Sequence, residues 1–249
     1  MTKNFAHRGY SGKYPENTML AFEKAIEAGA DGIELDVQET KDGVIVICHD
    51  ERVDRTTNGE GRIKDFLFED LRKLDASYIY TGQMGFNPIP TLEEYFELVK
   101  DTPIITNIEM KTGIYEYLPM EQKVYDMICK YHLQEKVIIS SFNHYTILRM
   151  KEMAPELKYG FLTEDWIIDV GPYIHKHGVQ CFHPNFHNLI PSVVEQVKKY
   201  GIEINCYTVN TEEDVLDLAE KGVDSVIGNF PEMAKETLQK FAMQKSVTE

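Results

Sequence analysis

Two carboxylates stand two residues apart in the apolar stretch GIELDV. Glu34 and Asp36 alternate there with Ile33, Leu35 and Val37, a pattern that places both acids on the same face of a strand. Neighbouring carboxylates repel one another and are costly to bury, so a cation must compensate them. A structural salt bridge could supply that charge, and so could a hard divalent cation bound through oxygen ligands.

A second stretch, NIEMK, repeats this pattern. Glu109 and Lys111 share one face of the predicted strand, and Ile108 and Met110 lie on the other. Glu109 would add a third oxygen ligand, with the cation of Lys111 beside it, although a Glu-x-Lys pair of this kind could also be an ion pair in a barrel core. Three acidic oxygens without His or Cys favour Mg²⁺ or Ca²⁺ over zinc.

Two histidines end strand-like stretches and are expected near these acids. His7 ends the first predicted strand, and His49 ends a returning hairpin strand in VIVICHD. Each alone could be structural, but both are predicted to reach the same end of the fold as the carboxylates. Two histidines beside a metal suit phosphodiester cleavage, because one can accept a proton from the nucleophile while the other donates one to the leaving alkoxide. The sequence leaves open which histidine is the acid.

The six other histidines carry less weight. His183 lies at the end of the sixth predicted strand, in CFHP, and is therefore a candidate substrate contact; His187 is a weaker one. The rest fall in helical or connecting stretches and are expected at the surface: His132, His144, His175 and His177.

Eight short β-rich stretches alternate with helical patterns, and these elements must position the candidate residues. Strands that alternate with helices predict parallel βα units. Eight such units in roughly 250 residues are typical of an α/β fold, the (β/α)8 TIM barrel, whose active sites lie at the carboxyl ends of the strands. The predicted strands are Asn4–His7, Gly32–Val37, Ile104–Glu109, Val137–Ser141, Tyr159–Thr163, Gln180–His183, Glu203–Thr208 and Asp224–Ile227.

Three helix starts are predicted from capping residues. Asn17 is expected to cap the first helix. Thr91 with Glu94 predicts a capping box, in which each side chain accepts a hydrogen bond from the other residue's backbone. Asn210 with Glu213 is expected to form another near the end of the chain.

The distance along the chain from the second strand to Ile104 is too long for one crossover. The KDG sequence at residues 41–43 predicts a hairpin turn, so Val44–Cys48 should return antiparallel to the second strand. Residues 51–90 are predicted to form an insertion on one end of the barrel, and residues 1–249 a single domain.

Composition narrows the class of protein further. The net charge of −15 argues against nucleic acid or anionic membranes as partners, so an anionic substrate would need local positive charge. No apolar run approaches the roughly 20 residues that span a bilayer, and the start resembles no secretory signal, so a cytoplasmic protein without membrane insertion is expected. The four separated cysteines are predicted to be buried free thiols: Cys48, Cys129, Cys181 and Cys206.

A run of motifs along the chain resembles those of the glycerophosphodiester phosphodiesterases. In order they are FAHRG, PENT, IELDVQ, VICHD, RTTNGEG, IPTLEE, IEMK, SFN, YTVN and GVDSVIGNFP, from residue 5 to residue 231. The resemblance implies metal-dependent hydrolysis of glycerophosphodiesters, such as glycerophosphocholine or glycerophosphoethanolamine, to sn-glycerol 3-phosphate and an alcohol. Either the glycerol 2-hydroxyl, through a cyclic phosphate, or water could attack the phosphorus.

The resemblance also implies three groups of site residues. They are an acid/base pair, the ligands of one divalent cation (Mg²⁺ or Ca²⁺), and phosphate contacts, for which the planar fork of arginine is well suited. The acid/base pair is His7 and His49, the metal ligands are Glu34, Asp36 and Glu109, and the phosphate contacts are Arg8 and Lys111.

The sequence departs from the family's pattern in two places. Tyr207 stands where the family usually has Trp, so this substrate contact beside the glycerol is smaller and carries a hydroxyl. Gly228 and Asn229 stand where the family usually has Thr-Asp.

Two other functions stay open: a related barrel phospholipase acting on lysophospholipids or phosphoinositides, and a noncatalytic barrel that binds a phosphate ligand. The two histidines argue against the second, because binding alone needs no proton-transfer groups.

Overall fold

The protein, described here by a computed structural model over residues 1–80 and 82–248, contains nine β-strands in those residues. They are β1 (Lys3–His7), β2 (Gly32–Glu39), β3 (Ile45–Ile47), β4 (Ile105–Met110), β5 (Val137–Ser141), β6 (Lys158–Thr163), β7 (Cys181–Pro184), β8 (Glu203–Tyr207) and β9 (Ser225–Gly228). Eight of them form a parallel sheet in the order β1-β9-β8-β7-β6-β5-β4-β2, and pairing of β1 with β2 closes it into a barrel.

Helices follow the strands around the outside of this barrel. Those of the described residues are α1 (Met19–Glu27), α2 (Phe68–Leu71), α3 (Leu92–Val99), α4 (Met120–Lys130), α5 (His144–Met153), α6 (Val170–Lys176), α7 (Pro191–Lys198), α8 (Glu212–Glu220) and α9 (Pro231–Thr248). The architecture is a (β/α)8 barrel, as the sequence predicted. The predicted strands agree with the observed ones to within one or two residues at each end.

The alternation in β2 divides its side chains between two environments. Ile33, Leu35 and Val37 are fully buried in the apolar layer between barrel and helices. In that layer the rings of Phe22 and Tyr95 meet edge to face at 4.9 Å, a geometry that aromatic pairs favour. The strand's two carboxylates therefore point into the barrel, as predicted.

The predicted hairpin is confirmed, because β3 pairs antiparallel with the end of β2. Residues 51–90 follow it and contain α2 and two short 3₁₀ turns, Ile63–Asp65 and Tyr78–Tyr80. Apolar side chains of this stretch pack with those of β3 in a small separate cluster: Val46, Cys48, Val53, Ile63, Leu71, Ala76 and Ile89. That residues 51–90 form an insertion subdomain within a single domain stays a prediction.

The capping box of α3 is confirmed, since the side chain of Thr91 accepts from the backbone of Glu94 and that of Glu94 accepts from the backbone of Thr91. The predicted cap of α1 is wrong by one residue. Thr18, not Asn17, caps this helix by accepting from the backbone N–H of Ala21 at 3.2 Å. Asn17 adopts a left-handed conformation with φ of 56°, and its side-chain amide donates to Asp36 instead.

The predicted cap of α8 is wrong for a similar reason. Thr211 caps the helix and accepts from the backbone N–H of Asp214 at 3.2 Å. The side chain of Asn210 instead accepts from the backbone N–H of Asn229 at 2.9 Å. A bond to a distant loop thus replaces the local cap.

The cysteines and the length of the helices bear on two expectations from composition. Cys48, Cys181 and Cys206 are buried and Cys129 is half-buried, and all four are free thiols. Within the part of the chain that the structure describes, no helix has the length and apolarity needed to cross a membrane.

Candidate active site

A cavity of about 230 Å³ opens at the carboxyl ends of the barrel strands. One side of it is rich in charged and titratable groups, and the other is mainly apolar. The first side includes His7, Arg8, Glu34, His49, Asn107 and Glu109; the second includes Phe142, Leu162, Glu164, Tyr207, Thr208 and Ile227. A larger cavity of about 380 Å³ at the opposite end is lined by charges that neutralise one another, such as Lys158 and Glu203 at 2.6 Å.

Three buried carboxylates meet on the charged side. Glu34, Asp36 and Glu109 are 4%, 1% and 8% exposed, and each offers an oxygen within 4.8 Å of the others. The register of the sheet brings them together, because Asp36 lies beside Glu109 on the neighbouring strand. This acidic triad could hold a metal ion.

The electrostatics of the triad suit a divalent cation. Burial raises the pKa of Glu34 well above its usual range, and the charges of Asp36 and Glu109 raise it further. Burial and Asp36 likewise raise the pKa of Glu109. Burial acts in the same direction on Asp36, but Arg8 and Lys111 outweigh it and lower its pKa. Within residues 1–80 and 82–248, one oxygen of Asp36, Oδ1, is buried without a hydrogen-bond partner, so the oxygen donor set fits a hard cation.

Neighbouring donors hold two of these carboxylates in place. The Asn17 amide donates to Asp36 Oδ2 at 2.9 Å, and the backbone N–H of Arg8 donates to Glu34 Oε2 at 3.1 Å. Such hydrogen bonds orient the ligands of metal sites. Asn17, expected as a helix cap, is thus a support of the triad.

Lys111, whose side chain is 13% exposed, pairs with the third carboxylate of the triad. Its Nζ lies 2.9 Å from Glu109 Oε1 and 3.9 Å from Asp36 Oδ1. The structure therefore places this cation beside the triad, as the Glu-x-Lys spacing predicted.

His7 lies at the end of β1 and is held by a neutral partner. Its Nδ1 is 2.7 Å from the side-chain oxygen of Asn229. Because an amide oxygen can only accept, Nδ1 carries the proton and Nε2 is left with a free lone pair. Burial, with a smaller effect of Arg8, lowers the pKa of His7 to about 4.

His49 lies beyond β3 and is held by an acidic partner. Its Nδ1 donates to Asp50 Oδ1 at 2.6 Å, and this hydrogen bond is the main cause of the low pKa of Asp50. Arg55 donates to the other oxygen of the same carboxylate at 2.7 Å. The acceptor of Nδ1 is therefore neutral for His7 and charged for His49, while Nε2 of His7 lies 3.9 Å from Glu34 Oε2.

A chain of charges connects Arg8 to residues 51–90. The Arg8 guanidinium, 17% exposed, lies 2.9 Å from Glu16 Oε1 and 3.5 Å from Asp36 Oδ2. Arg55 donates to both oxygens of Glu16 at 2.7 and 2.8 Å. Such paired contacts fix the planar guanidinium in orientation as well as in position.

The apolar side of the cavity is built around Tyr207. Its hydroxyl donates to the carbonyl of Thr163 at 2.9 Å. The ring of Phe142, which is 43% exposed, meets the Tyr207 ring edge to face at 6.0 Å. The two rings form one wall at the mouth of the cavity.

His183 is not brought to the cavity, so its expected role as a substrate contact is not supported. The side chain is fully buried, accepts from the amide of Asn205 at 3.1 Å, and is absent from the cavity lining. It packs inside the barrel, where a Cβ on Gly160 would come within 2.5 Å of its Nε2. The sequence predicts its strand correctly, but not its burial away from the cavity.

Several residues of the site lay outside the sequence-based set of candidates. Asn107 precedes Glu109 by two residues, so the alternation of β4 already directs it inward. Phe142 stands in the SFN motif without an assigned role, and nothing in the sequence singles out Glu164. Asp50 directly follows His49, and that adjacency was the available signal for their pairing.

The fold and the site together define a class of protein, the (β/α)8-barrel enzymes that cleave phosphodiesters. Comparison with known proteins identifies the family within this class. The model of the Glycerophosphoryl diester phosphodiesterase family matches residues 7–233, and the chain belongs to this family, as the motifs predicted.

Curated relatives and solved structures agree with this assignment. The glycerophosphodiester phosphodiesterase of Caldanaerobacter subterraneus is 47% identical over 227 residues, which cover 91% of this chain and 93% of the relative. That of Bacillus altitudinis is 40% identical, with coverage of 94% and 97%. An Oleispira antarctica phosphodiesterase, solved in complex with the product sn-glycerol-3-phosphate, superposes with a TM-score of 0.85 at 26% identity, over 96% of this chain and 97% of its own.

Proposed function

We propose that the protein is a metal-dependent glycerophosphodiester phosphodiesterase, which hydrolyses substrates such as glycerophosphocholine or glycerophosphoethanolamine to sn-glycerol 3-phosphate and an alcohol. The observation that carries this proposal is the meeting of two differently held histidines, His7 and His49, with a buried acidic triad at one cavity. The names of the relatives and the product bound in the Oleispira structure support the substrate class.

The proposed metal ligands are Glu34, Asp36 and Glu109, which would hold one Mg²⁺ or Ca²⁺. When bound, a divalent cation supplies positive charge that favours attack on a phosphodiester anion. Arg8 and Lys111 border the triad, and we assign them to the phosphate oxygens. These two cations provide local positive charge for an anionic substrate, although the net charge of the chain is −15.

The partners of the two histidines suggest how they divide the proton transfers. His7 is neutral, with its lone pair on Nε2, and accepts the proton of the attacking hydroxyl as general base. His49, whose ring is oriented by its hydrogen bond to the Asp50 carboxylate, donates a proton to the oxygen of the leaving alcohol as general acid. The bond from phosphorus to that oxygen breaks as the new P–O bond forms. Attack by the glycerol 2-hydroxyl and attack by water both use this division.

An assay of purified protein with a panel of substrates and metals tests the proposal. With Mg²⁺ or Ca²⁺ it should release sn-glycerol 3-phosphate from glycerophosphocholine or glycerophosphoethanolamine, and EDTA should stop the reaction. Replacing His132, an exposed histidine, by Ala gives a matched control that should keep full activity. Absence of hydrolysis of every glycerophosphodiester across several metals would overturn the proposal.

One observation favours a second candidate function, hydrolysis of lysophospholipids. Trp166 and Ile168, in the loop that follows β6, are 60% and 90% exposed, close in sequence to the cavity residue Glu164. An apolar loop beside the cavity could contact an acyl chain. A kcat/KM for lysophosphatidylcholine well above that for glycerophosphocholine would favour this function, and a much lower value would exclude it.

We also propose that the protein works in the cytoplasm. Its four cysteines are free thiols, which is usual for proteins of reducing compartments. Fractionation of cells that produce the protein, followed by detection of the chain in each fraction, tests this location.

A further inference from the structure

The cavity has opposite charge on its two sides. β6 lies opposite β1 in the ring of eight strands, so Glu164, which directly follows β6, stands across the cavity from Arg8 at the end of β1. Between them the apolar side is formed largely by Leu162, Tyr207 and Ile227. A ligand that fills this space meets a cation at one end and a carboxylate at the other.

The carboxylate of Glu164 has unused capacity to accept hydrogen bonds. Its Oε2 lies 3.3 Å from the Tyr207 hydroxyl, but the single proton of that hydroxyl is directed to Thr163 at 2.9 Å. In the described part of the chain, its Oε1 has only a long contact, 3.4 Å, with the amide of Asn185. Among residues 1–80 and 82–248, Glu164 forms no ion pair with Lys, Arg or His, so it has room for donors from a ligand.

A carboxylate in the wall of a cavity that takes an anionic phosphodiester needs a specific reason. It repels the phosphate unless the bound molecule presents a hydroxyl or a cation to it. A carboxylate next to an apolar surface suits a polyol, whose hydroxyls donate to the oxygens while its carbons lie on the apolar surface. In glycerophosphodiesters the polyol is the constant part of the substrate and the alcohol is the variable part.

We propose that Glu164 determines specificity for the glycerol half of the substrate by accepting a hydrogen bond from its terminal hydroxyl. The rings of Tyr207 and Phe142 then pack against the glycerol carbons, and the phosphate lies on the side of Arg8. This inference rests on the proposed function, since it assigns one half of that substrate to one side of the cavity.

Binding measurements test the inference without requiring turnover. Calorimetry with metal-loaded protein compares sn-glycerol 3-phosphate with propyl phosphate, which lacks the two hydroxyls. Wild type should bind the glycerol compound about 10- to 100-fold more tightly, the range expected for hydrogen bonds to a charged group. Glu164→Ala should lose this preference, while its affinity for propyl phosphate stays the same or rises, because the repulsion between the carboxylate and the phosphate is removed. Glu164→Gln should keep part of the preference, because its carbonyl still accepts.

The neighbouring Asp165→Asn provides the matched control, because Asp165 is exposed and does not line the cavity. It should keep the full preference for the glycerol compound. An unchanged preference in Glu164→Ala would overturn the inference. So would an equal loss of affinity for both phosphates, because this would indicate a structural role.

Activity measurements distinguish the glycerol from a cationic alcohol as the group that Glu164 contacts. Glu164→Ala should reduce kcat/KM for glycerophosphocholine and for the uncharged-head-group substrate glycerophosphoglycerol by similar factors. A loss confined to glycerophosphocholine would overturn the inference and assign Glu164 to the choline. If wild type hydrolyses no glycerophosphodiester with any of the metals, the proposed function fails, while the calorimetric preference still decides the role of Glu164.

Discussion

The side-chain oxygen of Asn229 lies 2.7 Å from Nδ1 of His7, and this contact fixes both the tautomer and the direction of the ring. Asn229 is itself held in place, because its backbone N–H donates to the side chain of Asn210 at 2.9 Å and its carbonyl accepts from Gly12 at 2.9 Å. The acceptor that orients His7 is thus a neutral amide. Asn229 therefore orients the proposed general base, His7, without placing a negative charge beside its Nδ1.

Replacing Asn229 by Asp should change the pH dependence of the reaction more than its geometry. The carboxylate still accepts from Nδ1, but its charge favours the protonated ring. Because a general base must be neutral, the acid limb of the profile of kcat/KM against pH should move to higher pH. Initial rates with glycerophosphocholine from pH 4 to pH 9 measure this shift.

Asn229→Ala tests the orienting effect separately. The buried Nδ1–H then lacks an acceptor, a loss that costs about 1–3 kcal/mol, so kcat should fall roughly 5- to 150-fold with little change in KM. If the Asp variant moved the alkaline limb instead of the acid limb, His7 would be the general acid and the proposed division of roles would be wrong.

Replacing Asp50 by Ala tests the orientation of His49. The Nδ1–H of His49 then loses the carboxylate that holds it at 2.6 Å, so kcat for glycerophosphocholine should fall roughly 2- to 10-fold with little change in KM. Asp54→Ala is a suitable control, since Asp54 pairs with Arg52 at 2.8 Å on the same segment, away from the cavity. An unchanged kcat in Asp50→Ala would show that this contact does not position His49 for proton transfer.

The inward direction of the charged residues could be predicted from sequence because it depends on a local rule. Side chains alternate along a strand, so the apolar neighbours of Glu34, Asp36 and Glu109 were enough to place the three acids inside the barrel. Parallel strands of a barrel carry their active sites at the carboxyl end, which also brought His7 to the same rim. These inferences need no knowledge of distant contacts.

The errors arose where a distant residue competes for a side chain. Asn17 has the side chain of a helix cap, but its amide donates to Asp36 on β2. The side chain of Asn210 likewise accepts from the backbone of Asn229 rather than from its own helix. For His183 the strand was right, but depth within the barrel depends on the stagger between strands, which a single sequence does not reveal.

Metal binding should stabilise the fold measurably. Three buried carboxylates repel one another, so Mg²⁺ or Ca²⁺ should raise Tm; at about 100 times Kd the gain in unfolding free energy is about 2.7 kcal/mol. Glu109→Gln removes one charged ligand and should shrink the shift and weaken binding in calorimetry. The control is Glu97→Gln on α3, which removes one charge from an exposed ion pair with Lys100 and should keep the full shift in Tm. An equal shift in wild type and Glu109→Gln would show that the triad is not the metal site.

The buried His183 should make the protein less stable in mild acid. Burial, with a smaller effect of Lys158, lowers its pKa to about 3, whereas an unfolded chain has a histidine pKa of about 6.5. Below pH 6.5 the unfolded state therefore binds the proton that the folded state excludes, and the free energy of unfolding falls as pH falls. The stability that comes from keeping His183 neutral in the folded protein is fully present above pH 6.5 and is lost progressively as the pH falls toward 3.

Urea unfolding at pH 7.5 and pH 5.0, without metal, measures this contribution. His183 should account for about 2 kcal/mol of the difference, at 1.36 kcal/mol for each pH unit below 6.5. His183→Gln should be less stable at pH 7.5 because of altered packing, but should lose less stability between the two pH values by about that amount. His132→Gln, at an exposed position, should follow the wild type. If His183→Gln and wild type lost equal stability, the proton would enter the folded barrel at His183 as easily as it enters the unfolded chain.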